Sequence, residues 1–391
     1  MERLTVPQGD FTLCRHPVRP NDPLRAWDAA DAYLLRHAAT LPWSRPSPGS
    51  QPAVLIVNDG HGALAVALAG ARARSLSDSY LGHAAARANL ARNGVDPAAV
   101  SLLTSFDPLP APVDVVLLKV PKSLALLEDQ LHRLRPALRE GASVVGAGMA
   151  KHVHTSTLDL FERILGPTRT SLAEKKARLI FCEPDLRRAA PRNPWPRAYT
   201  LAPGGEVVTG HAGVFSPDHL DVGTRFFLEQ LAARFARSPI AGSVVDLGCG
   251  NGVVGTLAAR HNPSAELTFI DESYRAVASA EATFCANLPP DRAARFVVGN
   301  GLFDPAGGPP VARGGVDVIL NNPPFHADHA VGDETAREMF RESHAALRPG
   351  GALWVVGNLH LGYGARLERL FGACETVAAN GKFAVLRATR R

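Results

Sequence analysis

Two strand-like segments of near-identical pattern stand 203 residues apart in this chain of 391. They are Asp114-Val115-Val116-Leu117-Leu118 and Asp317-Val318-Ile319-Leu320-Asn321. Around each, short apolar runs alternate with helical stretches. The first half predicts strands at 53–57, 100–105, 113–120 and 142–148, with one more ending at Ser77-Asp78. Its helices are expected at 25–37, 79–93 and 122–138. The second half predicts strands at 243–246, 266–271, 294–300, 316–320 and 352–357, with helices at 219–236, 273–286 and 333–347. Strands that alternate with helices build a doubly wound, mostly parallel α/β sheet, and here the plan is drawn twice. A closing antiparallel hairpin is expected at 374–379 and 383–388, turning at Asn380-Gly381. Two domains follow, at 1–190 and 198–391, linked by the Pro- and Arg-rich stretch 186–195.

The second copy of the repeated strand runs into Asn321-Asn322-Pro323-Pro324-Phe325-His326. Two prolines in series cannot continue a ladder, so the strand stops and a rigid turn begins. The turn presents an amide and an aromatic ring at the carboxyl end of a strand, where open α/β sheets bind ligands. The Asn322 oxygen and the Pro323 carbonyl can accept hydrogen bonds from a planar exocyclic amine, and the Phe325 ring can stack on the base that carries it. Such bonds hold a nitrogen lone pair toward an electrophilic methyl group. The task is positioning, because that nitrogen becomes acidic only once it is methylated.

Asp246-Leu247-Gly248-Cys249-Gly250-Asn251-Gly252 lies between a strand and a helix. Its glycines permit a tight turn and close approach of a ligand to the backbone. The dinucleotide fingerprint needs a glycine at 253, which is Val, and no Lys-Ser/Thr follows, so neither NAD nor a phosphate-binding loop is favoured. Asp246 suits a cationic amino-acid group, Asp271 suits ribose hydroxyls, and Asn300 can meet an adenine edge. Together with Gly248 and Gly250 they describe one ligand, S-adenosylmethionine. In the first half, Gly60 and Gly62 are expected to answer Gly248 and Gly250, Asp78 to answer Asp271, and Asn58 to stand at Asp246. That loop is one glycine short, and no cofactor is expected on it. At the 203-residue offset Lys119 falls on Asn322, Pro121 on Pro324 and Lys122 on Phe325. The first half thus reads as a copy that lost its chemistry and gained charge.

Charge is uneven along the chain. Residues 1–200 hold 25 Lys/Arg against 18 Asp/Glu, a net +7, and residues 201–391 hold 17 against 19, a net −2. The densest basic run, 163–197, includes Lys175, Lys176 and Arg178. A polyanion partner for the first half is expected, gripped by Lys119, Lys122, Lys175, Lys176 and Arg178. Five cysteines far apart, with no C-x-x-C spacing, suggest neither zinc nor a disulfide framework. No apolar run approaches a membrane span and residues 1–25 have no signal-peptide core, so a cytoplasmic protein without membrane or metal is expected.

These residues carry a resemblance. Asp-Leu-Gly-Cys-Gly-Asn-Gly with Asn-Asn-Pro-Pro-Phe-His resembles the RlmG/RsmC family, class I methyltransferases that modify guanine N2 in bacterial ribosomal RNA. These have two tandem Rossmann-like methyltransferase domains, the first degenerate. Residues 154–180, with Lys175-Lys176-Ala177-Arg178, and the tail from His360 to Leu386 look like the 23S branch, RlmG. The 16S branch shares Asn-Pro-Pro-Phe-His in a shorter chain. The resemblance implies that Asp246, Gly248 and Gly250 hold the methionine part, Asp271 the ribose, and Asn322 and Phe325 the guanine, with Asn300 near adenine where many relatives have Asp. It implies an S-adenosylmethionine-dependent rRNA guanine-N2 methyltransferase. Methylation of a protein glutamine or a DNA adenine is the rival chemistry, because similar motifs serve those amines, and an RNA-binding factor with a vestigial pocket is the non-enzymatic rival.

Overall fold

The computed structural model describes residues 2–19, 22–41, 52–202, 204–303, 310–324 and 329–391. The chain divides into two compact units, Met1–Trp195 and Pro196–Arg391. In the first, a hairpin of β1 (Glu2–Val6) and β2 (Gly9–Leu13) precedes α1 (Ala29–Ala38). Then follow β3 (Val54–Val57), α2 (Ala63–Ala67), β4 (Arg74–Leu76), α3 (Tyr80–Arg92), β5 (Ser101–Leu103) and β6 (Val113–Lys119). The unit closes with α4 (Leu124–Leu134), β7 (Leu138–Met149), α5 (Thr155–Ile164), β8 (Thr168–Thr170) and β9 (Ala177–Cys182).

The second unit opens with β10 (Arg197–Thr200), β11 (Val207–Gly210) and α6 (Val222–Arg237). β12 (Ser243–Leu247), α7 (Val253–His261), β13 (Glu266–Asp271), α8 (Tyr274–Asn287), β14 (Ala294–Val298) and β15 (Val316–Asn321) follow. It ends with α9 (His329–Ala346), β16 (Leu347–Asn358), α10 (Tyr363–Phe371), β17 (Glu375–Ala379) and β18 (Phe383–Thr389).

Each unit is built on one seven-stranded sheet, ordered β5-β4-β3-β6-β7-β9-β8 in the first and β14-β13-β12-β15-β16-β18-β17 in the second. Five neighbours in each run parallel, and the last two strands join antiparallel. The doubly wound fold expected from the alternation is therefore present twice. The antiparallel pair expected at the end of the chain also has a twin, β8 and β9, which lies in the stretch that composition marked only as basic.

Successive residues of a strand face opposite ways. In β12, Val244 faces α6, α7 and α8, while Val245 and Leu247 face α9 and α10. The same division in β15 puts Val318 and Leu320 on the α6 side and Ile319 on the α9 side. In the first unit, Val115 and Leu117 of β6 face α1 and α2, and Val116 and Leu118 face α4 and α5. Strand order reverses between β12 and β15, and between β3 and β6. The carboxyl ends at such a reversal open a crevice, the ligand position of this fold class.

Candidate active site at the strand-order reversal of the second unit

β12 delivers the glycine loop to that crevice. Gly248, Gly250 and Gly252 all take left-handed backbone, with φ of 70°, 54° and 74°. At Gly252 a Cβ would fall 2.5 Å from Cα of Ala280 in α8, so only glycine lets the two helices meet. At Gly250 a Cβ would meet nothing within 4 Å. There the backbone conformation demands glycine, while the space above stays open for a ligand.

Asp246, 3% exposed, points toward α7 and accepts the Gly255 N–H at 2.8 Å. Burial pushes its carboxyl up to about 8, with the Asp271 charge adding to the rise and the Gly255 bond opposing it. Asp271 at the end of β13 accepts the Gly250 N–H at 3.0 Å and the Ser273 N–H at 3.0 Å. The N-cap of α8 is Ser273, which accepts from Ala276 N–H, and Asp271 braces the loop from the end of β13. Asn300 lies two residues past the end of β14, beyond the strand expected to carry it.

β15 brings two amides to the same crevice. Asn321 is fully buried and its Nδ2 donates to the Leu247 carbonyl at 2.7 Å, tying β15 to β12. Asn322 faces the α6 side, and its Nδ2 donates to Thr224 Oγ1 at 3.0 Å. Its Oδ1 is shielded from water and accepts no hydrogen bond among the described residues. A buried acceptor without a partner costs about 1–3 kcal/mol, and a donor from a ligand would remove that cost. Pro323 is buried and Pro324 exposed. Phe325 and His326 lie outside the described residues.

The first unit shows what the same frame does with other side chains. Pairing aligns Val57 with Leu76 and Leu118, as Leu247 is aligned with Ile270 and Asn321. Asn58 N–H donates to the Leu76 carbonyl as Gly248 N–H donates to Ile270. Both residues have positive φ, 62° at Asn58. Three expectations are thereby corrected. Asn58 stands at Gly248, and Ile56 stands at Asp246. The surviving glycines, Gly60 and Gly62, answer Gly250 and Gly252. Ser77, not Asp78, stands at Asp271, and its Oγ accepts the Ser79 N–H as Asp271 accepts that of Ser273. The register decides this, because a parallel strand can shift only by turning its apolar residues outward. The Asn58 amide exchanges hydrogen bonds with Gln130 and donates to the Lys119 carbonyl, bridging the reversal between β3 and β6.

Lys119 corrects a further expectation. Its ammonium makes ion pairs with Asp28 at 2.6 Å and Asp31 at 2.8 Å, and its side chain is only 13% exposed. Burial works against its charge, but the two carboxylates outweigh it and raise its pKa. A lysine enclosed in this way is not available to grip phosphate. Lys122, Lys175, Lys176 and Arg178 are exposed. Lys175 and Lys176 are the two central residues of a turn closed by both bonds between Glu174 and Ala177, and both take left-handed backbone, with φ of 48° and 65°.

Residues 1–186 match the family model described as the RLMG N-terminal domain, and residues 206–387 match the methyltransferase small domain. A protein of Streptomyces avermitilis named ribosomal RNA large subunit methyltransferase G is 56% identical over 393 residues, with 99% of each chain covered. The chain belongs to the ribosomal RNA large subunit methyltransferase G family. Its member in Aeromonas salmonicida is 47% identical over 97% of both chains. A solved structure of the T. thermophilus 16S rRNA N2 G1207 methyltransferase, in complex with AdoMet and guanosine, has a TM-score of 0.73 at 24% identity and covers 100% of this chain and 98% of its own. That likeness shows the shared fold.

Other residues of the family fold escaped the sequence reading. At the start of α6, Thr224 joins Asn322 across 98 residues of chain, and Asp221 accepts from Thr224 in turn. Their only signal in the sequence is a capping pattern at a helix start. A groove of about 790 Å³ between α9 and α10 is lined by Glu334, Arg337, Arg341, Arg366 and Arg369, but Arg366 is paired with Asp333 and Arg337 with Asp333 and Glu334. Among the described residues no group of three or more metal-ligating side chains occurs, and no helix is long and apolar enough to cross a membrane.

Proposed function

We propose that the second unit transfers a methyl group from S-adenosylmethionine to N2 of a guanine in large-subunit, 23S, ribosomal RNA, in the cytoplasm, and that the first unit holds the RNA. The observation that carries this reading is Asn322, whose unpartnered oxygen stands at the strand-order reversal beside the glycine loop. The cofactor fits the residues present. Gly250 leaves open space, Asp271 braces the loop, and the buried Asp246 carboxyl favours a neighbouring cation. When bound, S-adenosylmethionine supplies an electrophilic methyl carbon on a sulfonium. The chain's own part is to accept the amine hydrogens at Asn322 and the Pro323 carbonyl and to hold the base flat, with Phe325 as the proposed stacking face. The guanine must leave its stack to reach this crevice.

The test is tritium transfer from labelled S-adenosylmethionine into 23S rRNA, 16S rRNA, ribosomal subunits, DNA and total protein. Label in one 23S guanine is expected. Label in 16S RNA, adenine or glutamine instead would replace the substrate, and none anywhere would leave an RNA-binding factor.

For RNA grip we propose Lys122, Lys175, Lys176 and Arg178. Lysine is a costly choice in the Lys175-Lys176 turn, where Asn-Gly is preferred. The double variant Lys175→Asn, Lys176→Gly is expected to gain about 1 kcal/mol in stability. It should nevertheless bind RNA more weakly, and the slope of log affinity against log salt should fall by about 2. Denaturant titration and filter binding at several salt concentrations check both halves.

Asp246 predicts a pH dependence. Its folded pKa of about 8 lies above the unfolded value, so its contribution to stability is complete below about pH 4 and is lost as pH rises through 8. Asp246→Asn should therefore melt higher than wild type at pH 8 without cofactor, yet bind S-adenosylmethionine far more weakly. In the wild type that affinity should fall from pH 8 to pH 6, because binding to the carboxylate form must release a proton. Calorimetry in two buffers reads the proton release, with one site per chain expected.

A further inference from the structure

We propose that Thr224, backed by Asp221, is a positioning residue that fixes which end of the Asn322 amide faces the substrate. The assignment rests on the methyl-transfer reading above. An asparagine amide has two nearly equivalent orientations, and only one presents the oxygen to an incoming amine. A hydroxyl partner alone would not choose, because it both donates and accepts. Asp221 removes that freedom. It is the N-cap of α6, and its Oδ2 accepts both the Thr224 N–H at 2.9 Å and the Thr224 hydroxyl at 3.3 Å. A carboxylate cannot donate, so the Thr224 hydroxyl hydrogen points to Asp221 and its lone pairs face Asn322. The Asn322 Nδ2 then has a place to donate, 3.0 Å away, and Oδ1 is left pointing elsewhere with no partner.

The duplication supplies an independent observation. In the first unit Asp28 is the N-cap of α1, Asp31 is the third residue after it, and Lys119 ends the repeated strand. These are the positions of Asp221, Thr224 and Asn322. The three side chains meet there too, with the Lys119 ammonium on both carboxylates. Helix start and strand end are thus brought together by the fold itself. In the first unit the contact is an ion pair that closes on itself. In the second, a neutral hydroxyl at the same point leaves one amide atom unspent.

The experiment is single-turnover methyl transfer to 23S rRNA at saturating S-adenosylmethionine and RNA, with equilibrium affinities for both measured alongside. Thr224→Val keeps the shape and removes the hydroxyl. It should slow transfer about ten- to a hundred-fold, as a misplaced reacting group does, with both affinities within about two-fold of wild type. Thr224→Ser, which restores the hydroxyl, should recover most of that loss. Thr224→Val added to Asn322→Ala should slow that variant no further, because the two act on one atom. Asp221→Asn keeps a good helix cap and so keeps the fold. Its amide can donate to Thr224, so it should also slow transfer without changing either affinity. A wild-type rate in Thr224→Val, no recovery in Thr224→Ser, or additive losses in the double variant would overturn the assignment. If Thr224→Val does not fold, a wild-type rate in Asp221→Asn does so. Wild-type protein that labels no rRNA overturns the functional reading, and this assignment with it.

Discussion

Asn322→Ala is expected to reduce methyl transfer by on the order of 10²–10³-fold while S-adenosylmethionine affinity stays within about two-fold. The loss follows from what the residue does. Its Oδ1 is the one side-chain acceptor at the end of β15 that is buried, unpartnered among the described residues and held from behind by Thr224. Asn321, also with an unpartnered oxygen, spends its Nδ2 on the Leu247 carbonyl and faces α9 instead. Removing the Asn322 amide leaves the amine free to rotate, and nothing then holds its lone pair in line with the methyl carbon. The cofactor loop hangs from β12 and β13 and loses no contact. The check is single-turnover transfer beside calorimetric binding. A variant within a few-fold of wild type would shift the catalytic role to the Pro323 carbonyl and Phe325.

Lys119→Met is expected to cost the first unit about 3 kcal/mol of stability, the usual penalty for breaking one side of a buried ion pair. The two carboxylates it leaves behind differ. Asp28 is half exposed and can hydrate, but Asp31 is buried with it in the helix start. Burial already pushes the Asp31 carboxyl up to about 6. Without the ammonium its pKa rises further, so the variant takes up a proton that the wild type has released. A raised folded pKa gives stability that is lost as pH rises through it. The wild type loses that contribution by about pH 6, and the variant goes on losing it above that. The gap between the two should therefore widen from pH 6 to pH 8, as read by denaturant titration at each pH. A variant as stable as wild type at pH 8 that binds RNA more weakly would restore Lys119 to the RNA surface. In a chain of marginal stability a loss of this size is large, which makes Lys119 a structural lysine.

Sequence by itself determined the duplication, the two mostly parallel sheets and the methyltransferase family to which the chain belongs. The reason is that these are local signals. Period and β-branching mark buried strands. Glycines at 248, 250 and 252 mark backbone that no other residue adopts easily, and Pro323-Pro324 marks where a ladder must stop. The elements of α1, α3, α6 and α8 all fall within a few residues of where their patterns place them. The hairpins β1–β2, β8–β9 and β10–β11 were not visible, because three- to six-residue strands carry too few alternations to stand out from loops.

Tertiary structure alone decided which charges are enclosed and which side chains meet. Lys119 and Lys122 read alike as basic residues after a strand. One lies in a pocket of carboxylates supplied by a helix start some 90 residues earlier, and the other is exposed. Thr224 reads as an ordinary helix residue until β15 brings Asn322 against it. Asn58 sits beside an aspartate in sequence, yet it takes the place of a glycine in space, because strand register is set by burial of the neighbouring apolar faces. Pairing of this kind depends on the summed packing of a whole sheet, and no short window of sequence contains that sum.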